Sequence, residues 1–337
     1  GEFQTPWPEG VNYRHLEDNG FLKFDFLGLS LLRDVQNCIG RILKNQTGRK
    51  ATFAEISQFF DKHLNCRFNK ADDHQVWKHV YHQRRKVGVF QFTEPAARKF
   101  CEDAKPTNIT ELAAITSIFR PGPLKAGVHK QWVDVVSGKE NPTYEHQIIK
   151  DVLGETYGFL VFQENFMILS QKMAGFSPGE SDKMRKVLVK KSHDAEAGKD
   201  TERNKFRKNF VEGAKKLHGI DEALSTKIFD RIEAFAAYGF NKAHAVSYAF
   251  DSYYAAWLHT HYEKEWLATV LQSESGNPDG LSKTIDEVKQ MGYKFAQADV
   301  NFSGDEWVYS EEIGALDRNS TRLNSSHVSE SRMPSSA

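Results

Sequence analysis

A mainly α-helical protein with a small β-containing piece at its N-terminus is predicted by three observations. Apolar residues recur at helical spacing over long stretches, those stretches carry capping and stop signals, and strict alternation appears in only two short runs. With 337 residues the chain is long enough for two or three packed units and an ample core.

The first alternating run is Gly20 to Leu29, where Leu22, Phe24 and Phe26 point one way and Lys23 and Asp25 the other. Two readings of that polar face stand. It is the solvated or ion-paired outside of a half-buried strand, or Asp25 helps hold a divalent cation while Lys23 meets a phosphate; Mg²⁺ would need further carboxylates or phosphate oxygens. The second run, Tyr157 to Gln163, reads as another short strand.

Helices follow. Ser177-Pro178-Gly179-Glu180 supplies an N-cap, a proline at the first helical position and a capping-box glutamate, predicting a helix to about Lys191. On it Met184, Val187 and Leu188 form one apolar arc, opposite Lys183, Arg185, Lys186 and Lys190. Ile228, Phe229, Ile232 and Phe235 predict a helix over 225–236 with Gly239 as its stop, and another helix is expected from Ala243 to Tyr262. Pro142, Pro178 and Pro278 mark connections. From Asp317 to Ala337 the chain is rich in Ser, Asn and Arg, with Leu323 and Val328 as its only aliphatic core-formers, which predicts an unfolded tail. That run also resembles the conceptual translation of a common sequencing adapter.

Composition narrows function mainly by exclusion. Hydrophobic residues at 39% and charged residues at 27% exclude wholesale disorder. Forty-five Lys+Arg balance 45 Asp+Glu, so affinity for a polyanion must come from local asymmetry. Such asymmetry exists between Ser181 and Gly219, where twelve Lys+Arg stand against six Asp+Glu. This is either a phosphate-binding surface or a solvated helical face. Cys38, Cys66 and Cys101 form no C-x-x-C, which suits a reducing compartment, with the cytoplasm as the expected location. No apolar run spans a bilayer, and the chain opens without a Met or a leader, as if inside a longer protein.

One turn is unusually rich in binding groups. After Gly239 come Phe240, Asn241, Lys242 and His244, with Tyr238 just before, offering a stacking surface and donors to phosphate or sugar oxygens. A capped turn with a satisfied histidine is the alternative reading. Of His74, His79 and His82 only His79 and His82 share a helical face, with no third ligand at zinc spacing, and His259 and His261 suit the negative end of a helix. The nucleotide-loop, dinucleotide, zincin and serine-hydrolase signatures are absent.

In order, several blocks resemble the alpha subunit of bacterial replicative DNA polymerase III, family C. They are Leu22-Lys23-Phe24-Asp25-Phe26-Leu27-Gly28-Leu29, Gly88-Val89-Phe90-Gln91, Phe119-Arg120-Pro121-Gly122-Pro123, Tyr157-Gly158 with Phe162-Gln163-Glu164, and Ala174-Gly175-Phe176. Arg185-Lys186, Lys190-Lys191, Phe229-Asp230 and Tyr238-Gly239-Phe240-Asn241-Lys242 with His244 continue the series over about residues 20 to 300. The resemblance implies the end of a palm domain over 1–32, helical fingers over 33–300 and the start of a following region over 301–316, before the tail at 317–337.

It further implies that Asp25 is the third palm carboxylate, a Mg²⁺ ligand, and that Lys23 lies near the incoming triphosphate. Arg120, Arg185, Lys186, Lys190, Lys191, Tyr238, Asn241, Lys242 and His244 are then expected to bind nucleotide or phosphate. The implied reaction adds deoxynucleoside triphosphates to a primer on a DNA template by two-metal phosphoryl transfer. Implied partners are primer-template DNA, the triphosphates and, for the full-length protein, a sliding clamp and other replisome subunits. The family's D-x-D aspartate pair is absent, so this chain alone is expected to be inactive. Lys186 stands where a second arginine is common, Val189 replaces a glycine and Ala243 a serine, which marks a divergent member. A non-catalytic helical nucleic-acid-binding module is the alternative.

Overall fold

The computed structural model describes residue 20 and residues 28–83, 85–189, 197–236, 238–297 and 306–317, with only the backbone for 197–201. Lys23, Asp25, Lys190, Lys191 and the tail beyond Asp317 lie outside the described residues, as does most of the first predicted strand.

The fold is helical, as the spacing predicts. The longer helices are α1 (Ser30–Thr47), α2 (Phe53–His63), α3 (Pro95–Ala104), α4 (Ile109–Ile118), α5 (Val128–Val136) and α6 (Gln163–Ala174). They continue as α7 (Pro178–Val189), α8 (Ala197–His218), α9 (Glu222–Ala236), α10 (Lys242–His261), α11 (Glu263–Ser273) and α12 (Pro278–Gln290). A hairpin of β1 (Val308–Ser310) and β2 (Ala315–Asp317) pairs Tyr309 with Leu316.

Three apolar cores hold these elements. The first gathers α4, Trp77, Tyr81, Phe92, Trp132 and one side of α10. Tyr254, Ala255 and Leu258 on another side of α10 enter the second core with α1, α11, Trp307 and Leu316. Buried on two sides, α10 has no single apolar stripe; small residues such as Ala245, Ala249 and Ala256 let its neighbours approach. The third core joins α6, α7, α8 and α9 through Phe166, Met184, Phe210 and Phe229.

The capping signals at Ser177 operate as expected. Its hydroxyl accepts from the Glu180 amide at 3.2 Å while the Glu180 carboxylate accepts from the Ser177 amide at 2.8 Å. Met184 and Leu188 are buried below this cap and Val187 is half-buried. The helix predicted over 225–236 begins three residues earlier, and the one predicted from Ala243 starts at Lys242.

Two expectations are corrected and one is refined. Tyr157 to Gln163 is not a strand: Tyr157 and Gly158 turn with positive φ, Phe162 makes one isolated parallel bridge to Phe240, and Gln163 already opens α6. Gly239 does follow the end of α9, but without the positive φ that a glycine stop usually takes. An added Cβ would lie 2.8 Å from the Phe235 ring, so close packing, not φ, makes the position small. Finally, His259 is not a charged helix-end residue. It is 2% exposed and its Nε2 has no hydrogen-bond partner among the described residues. His261 instead bonds Asp73 at 2.7 Å.

Burial pulls the His259 imidazole down to about 4, against the Glu263 carboxylate 3.5 Å away. With the folded value depressed, the unfolded chain takes up the proton first as pH falls. Stability is therefore full above the ordinary histidine range near 6.5 and is lost towards 4. About 2 kcal/mol should disappear between pH 7 and pH 5. Urea unfolding of the wild type and His259→Leu at both pH values checks this; the variant should show the smaller pH dependence.

No helix among the described residues is long and apolar enough to cross a membrane.

Candidate functional site

The seam between the first and third cores is built from three segments: Val161 to Glu164, the turn 238–244, and the Arg120-Pro121-Gly122-Pro123 turn. Gln163 ties the first two together. Its backbone amide donates to the Phe240 carbonyl at 2.8 Å and its side-chain amide to the Gly239 carbonyl at 2.9 Å. Its Oε1 accepts from Arg185 Nη1 at 3.4 Å, which brings α7 to the same place.

Glu164 completes the joint. Its carboxylate accepts from Asn241 Nδ2 and from the Lys242 backbone amide, each at 2.9 Å. Asn241 Oδ1 meanwhile caps α10 by accepting from the His244 amide at 2.8 Å. An N-cap thus serves twice, ending the turn and locking it to α6.

Cations surround this joint. The guanidinium of Arg120 lies 3.5 Å over the Phe240 ring, and no carboxylate pairs with it among the described residues. Partial burial pulls its titration down, yet an arginine stays charged at working pH. Lys242 Nζ pairs with Glu155 and lies 5.7 Å from the centre of the Phe162 ring. Arg185 makes two bonds to Asp182 Oδ1, at 3.0 and 2.8 Å, and Lys186 reaches the other oxygen at 2.8 Å. Hydrogen bonds from Lys186 and Arg185 hold the Asp182 carboxyl below its usual range.

Flat surfaces complete the site. Tyr238 is 45% exposed and its ring lies against Gly122, where a Cβ would fall 2.0 Å from a ring carbon. His244 sits 5.2 Å from Phe240 and 4.1 Å from Tyr248, ring centre to ring centre.

Of the sequence-predicted residues, Arg120, Arg185, Tyr238, Asn241, Lys242 and His244 come together here, while Lys186 follows Arg185 on an exposed part of α7. Part of the basic stretch is paired with acids, some of them from the next helix. Arg203 and Arg207 pair with Glu233, Arg207 also with Asp230, and Lys183 with Glu202. Sequence reading missed the roles of Gln163, Glu164 and Glu155. A glutamate in the first turn of a helix was the available signal for Glu164, since that end attracts carboxylates.

Sequence comparison matches residues 38–218 to the bacterial DNA polymerase III alpha subunit finger domain. The chain belongs to that family. Over 288 residues it is 33% identical to DNA polymerase III subunit alpha of Aquifex aeolicus and 35% identical to that of Neisseria meningitidis serogroup B, covering 86% of this chain in each case. The Vibrio cholerae subunit is 32% identical over 291 residues and 85% of the chain. These alignments cover 23%, 23% and 24% of the relatives, so the chain spans about a quarter of their length. The matched finger domain contains Arg120, Gln163, Glu164 and Arg185, and α9, the 238–244 turn and α10 continue the same fold beyond it.

Proposed function

We propose that this chain is the fingers portion of a replicative DNA polymerase and that the joint at Gln163 and Glu164 receives the triphosphate of an incoming deoxynucleotide. The supporting observation is the convergence of Arg120, Arg185 and Lys242 on one turn in a chain of this family. Each is placed by an independent element, so the fold, not chain proximity, gathers the positive charge. Tyr238 and His244 provide surfaces for the base or sugar. Lys186 extends the cationic edge; on sequence grounds the proposal adds Lys190 and Lys191 as phosphate contacts and assigns Lys23 and Asp25 to the adjoining palm.

Among the described residues no three His, Cys, Asp or Glu side chains stand together as a metal site. The proposal leaves Mg²⁺ to Asp25 with carboxylates from elsewhere in the polymerase. On this reading the chain alone does not extend a primer, and it works in the cytoplasm with primer-template DNA, a sliding clamp and other replisome subunits. The test is primer extension by this chain joined to the remaining domains of an alpha subunit. Asp25→Ala and Lys242→Ala should both lose extension, and wild-type rates in both variants would overturn the reading.

A further inference from the structure

A second cationic feature lies away from this joint, along α1. Arg33, Asn37 and Arg41 recur every fourth residue and Lys44 follows one turn later, so all four share one helical face. With Lys50 they line a cleft of about 710 Å³ against Thr269, Gln272 and Ser273 of α11. A second cleft of about 510 Å³ shares Arg41, Lys44 and Glu306 with the first and runs on to Lys264 and Tyr309. Together they make one groove, with about 16 Å of helix between Arg33 and Lys44.

The acids of the groove are largely occupied and two of its cations are not. Arg41 is fixed by the Trp307 carbonyl at 2.6 Å and takes Glu306 at 3.4 Å. Lys264 takes Glu311 at 2.6 Å, and Glu265 accepts from Asn45 at 3.0 Å. Lys44 and Lys50 form no side-chain hydrogen bond or ion pair among the described residues, and both are exposed. Asp34, also in the lining, keeps Oδ1 shut off from solvent with no hydrogen-bond partner among the described residues.

We propose that this groove binds a single-stranded nucleic-acid segment, with Arg33, Lys44 and Lys50 on its phosphates; Tyr309, with Lys264 Nζ 4.3 Å from its ring centre, closes the far end. The chemistry is that of strand-tracking sites, in which spaced cations follow the phosphate backbone. A free nucleotide would occupy one cleft only, whereas the shared Arg41 and Lys44 run the two together. The inference shares with the proposed function a nucleic-acid ligand but none of its residues.

Fluorescence anisotropy of a labelled 20-nucleotide oligo-dT with the full chain, over a salt series, provides the test. Lys44→Glu/Lys50→Glu should weaken binding at least tenfold, and the slope of log affinity against log salt should drop by about 1.4, two single-strand phosphate contacts. Lys139→Glu, which leaves the groove intact, should stay within twofold. Circular dichroism monitors folding, and Lys44→Gln/Lys50→Gln replaces the reversal should it fail to fold. No binding by the wild type, or equal binding by the double variant, overturns the proposal. So does full displacement by inorganic tripolyphosphate with no dependence on oligonucleotide length, which would assign the groove to a free polyphosphate. Loss in Arg185→Ala/Lys242→Ala alone would sink the groove and spare the triphosphate site, while loss in the α1 variant alone supports the groove and leaves the triphosphate site to the primer-extension test.

Discussion

An alanine at position 213 should destabilise the chain by about 2 kcal/mol, although alanine is the better helix former. Gly213 lies inside α8, where replacing glycine ordinarily gains about 1 kcal/mol. Here the new Cβ would stand 2.1 Å from the Ala174 carbonyl oxygen and 2.9 Å from its carbonyl carbon. Those are backbone atoms at the end of α6, and no rotamer change moves them. The two helices would have to separate, opening the packing of Phe210 and Ala214, both fully buried, in the third core. Overpacking of this kind costs about 1–3 kcal/mol or more, and a backbone obstacle places it at the upper end. Gly179, on α7 with nothing within 4 Å of its added Cβ, is the matched control and should tolerate alanine without loss. Urea-unfolding midpoints of the two variants decide the matter; a Gly213→Ala protein as stable as wild type would show that α6 and α8 are not locked at that contact.

Gly213 also shows where the sequence stops being legible. Met184 and Leu188 announce a buried face because helical period and apolarity are local properties, and Ser177 with Glu180 announces a helix start for the same reason. The tightness of the α6–α8 approach depends on residues 39 positions apart, and a lone glycine does not say which backbone it meets. The site behaves likewise. The turn from Tyr238 to His244 stands out through its density of polar groups, but its anchors do not: Gln163 and Glu164 look like ordinary first-turn residues until Phe162 and Phe240 are brought side by side. Local charge counting is blind to partners on other helices. Arg203 and Arg207 count as free cations only while Asp230 and Glu233, one helix later, are left out.

Lys242→Ala should lower kcat/KM for primer extension about 100-fold in the joined polymerase, the scale expected when a positioned cation is removed from developing negative charge. In the structure its ammonium is paired with Glu155, so a triphosphate must compete for it. That pair is 32% and 42% exposed, and exposed pairs contribute about 0–1 kcal/mol, well under the roughly 2–3 kcal/mol gained on a phosphoryl group. The lysine can therefore leave Glu155 at little cost, and the sign of a second variant follows. Glu155→Gln removes the competitor and should lower KM up to fivefold, leaving kcat close to wild type, because only the empty site is affected. Glu164 holds the backbone of Lys242, so the side chain has a fixed point to swing about. Steady-state kinetics of the two variants separate the roles: a kcat loss in Lys242→Ala places the cation on charge that grows in the transition state, whereas a rise confined to KM places it on the bound triphosphate. Wild-type KM in Glu155→Gln together with wild-type kcat/KM in Lys242→Ala would leave that ammonium without a part in nucleotide addition.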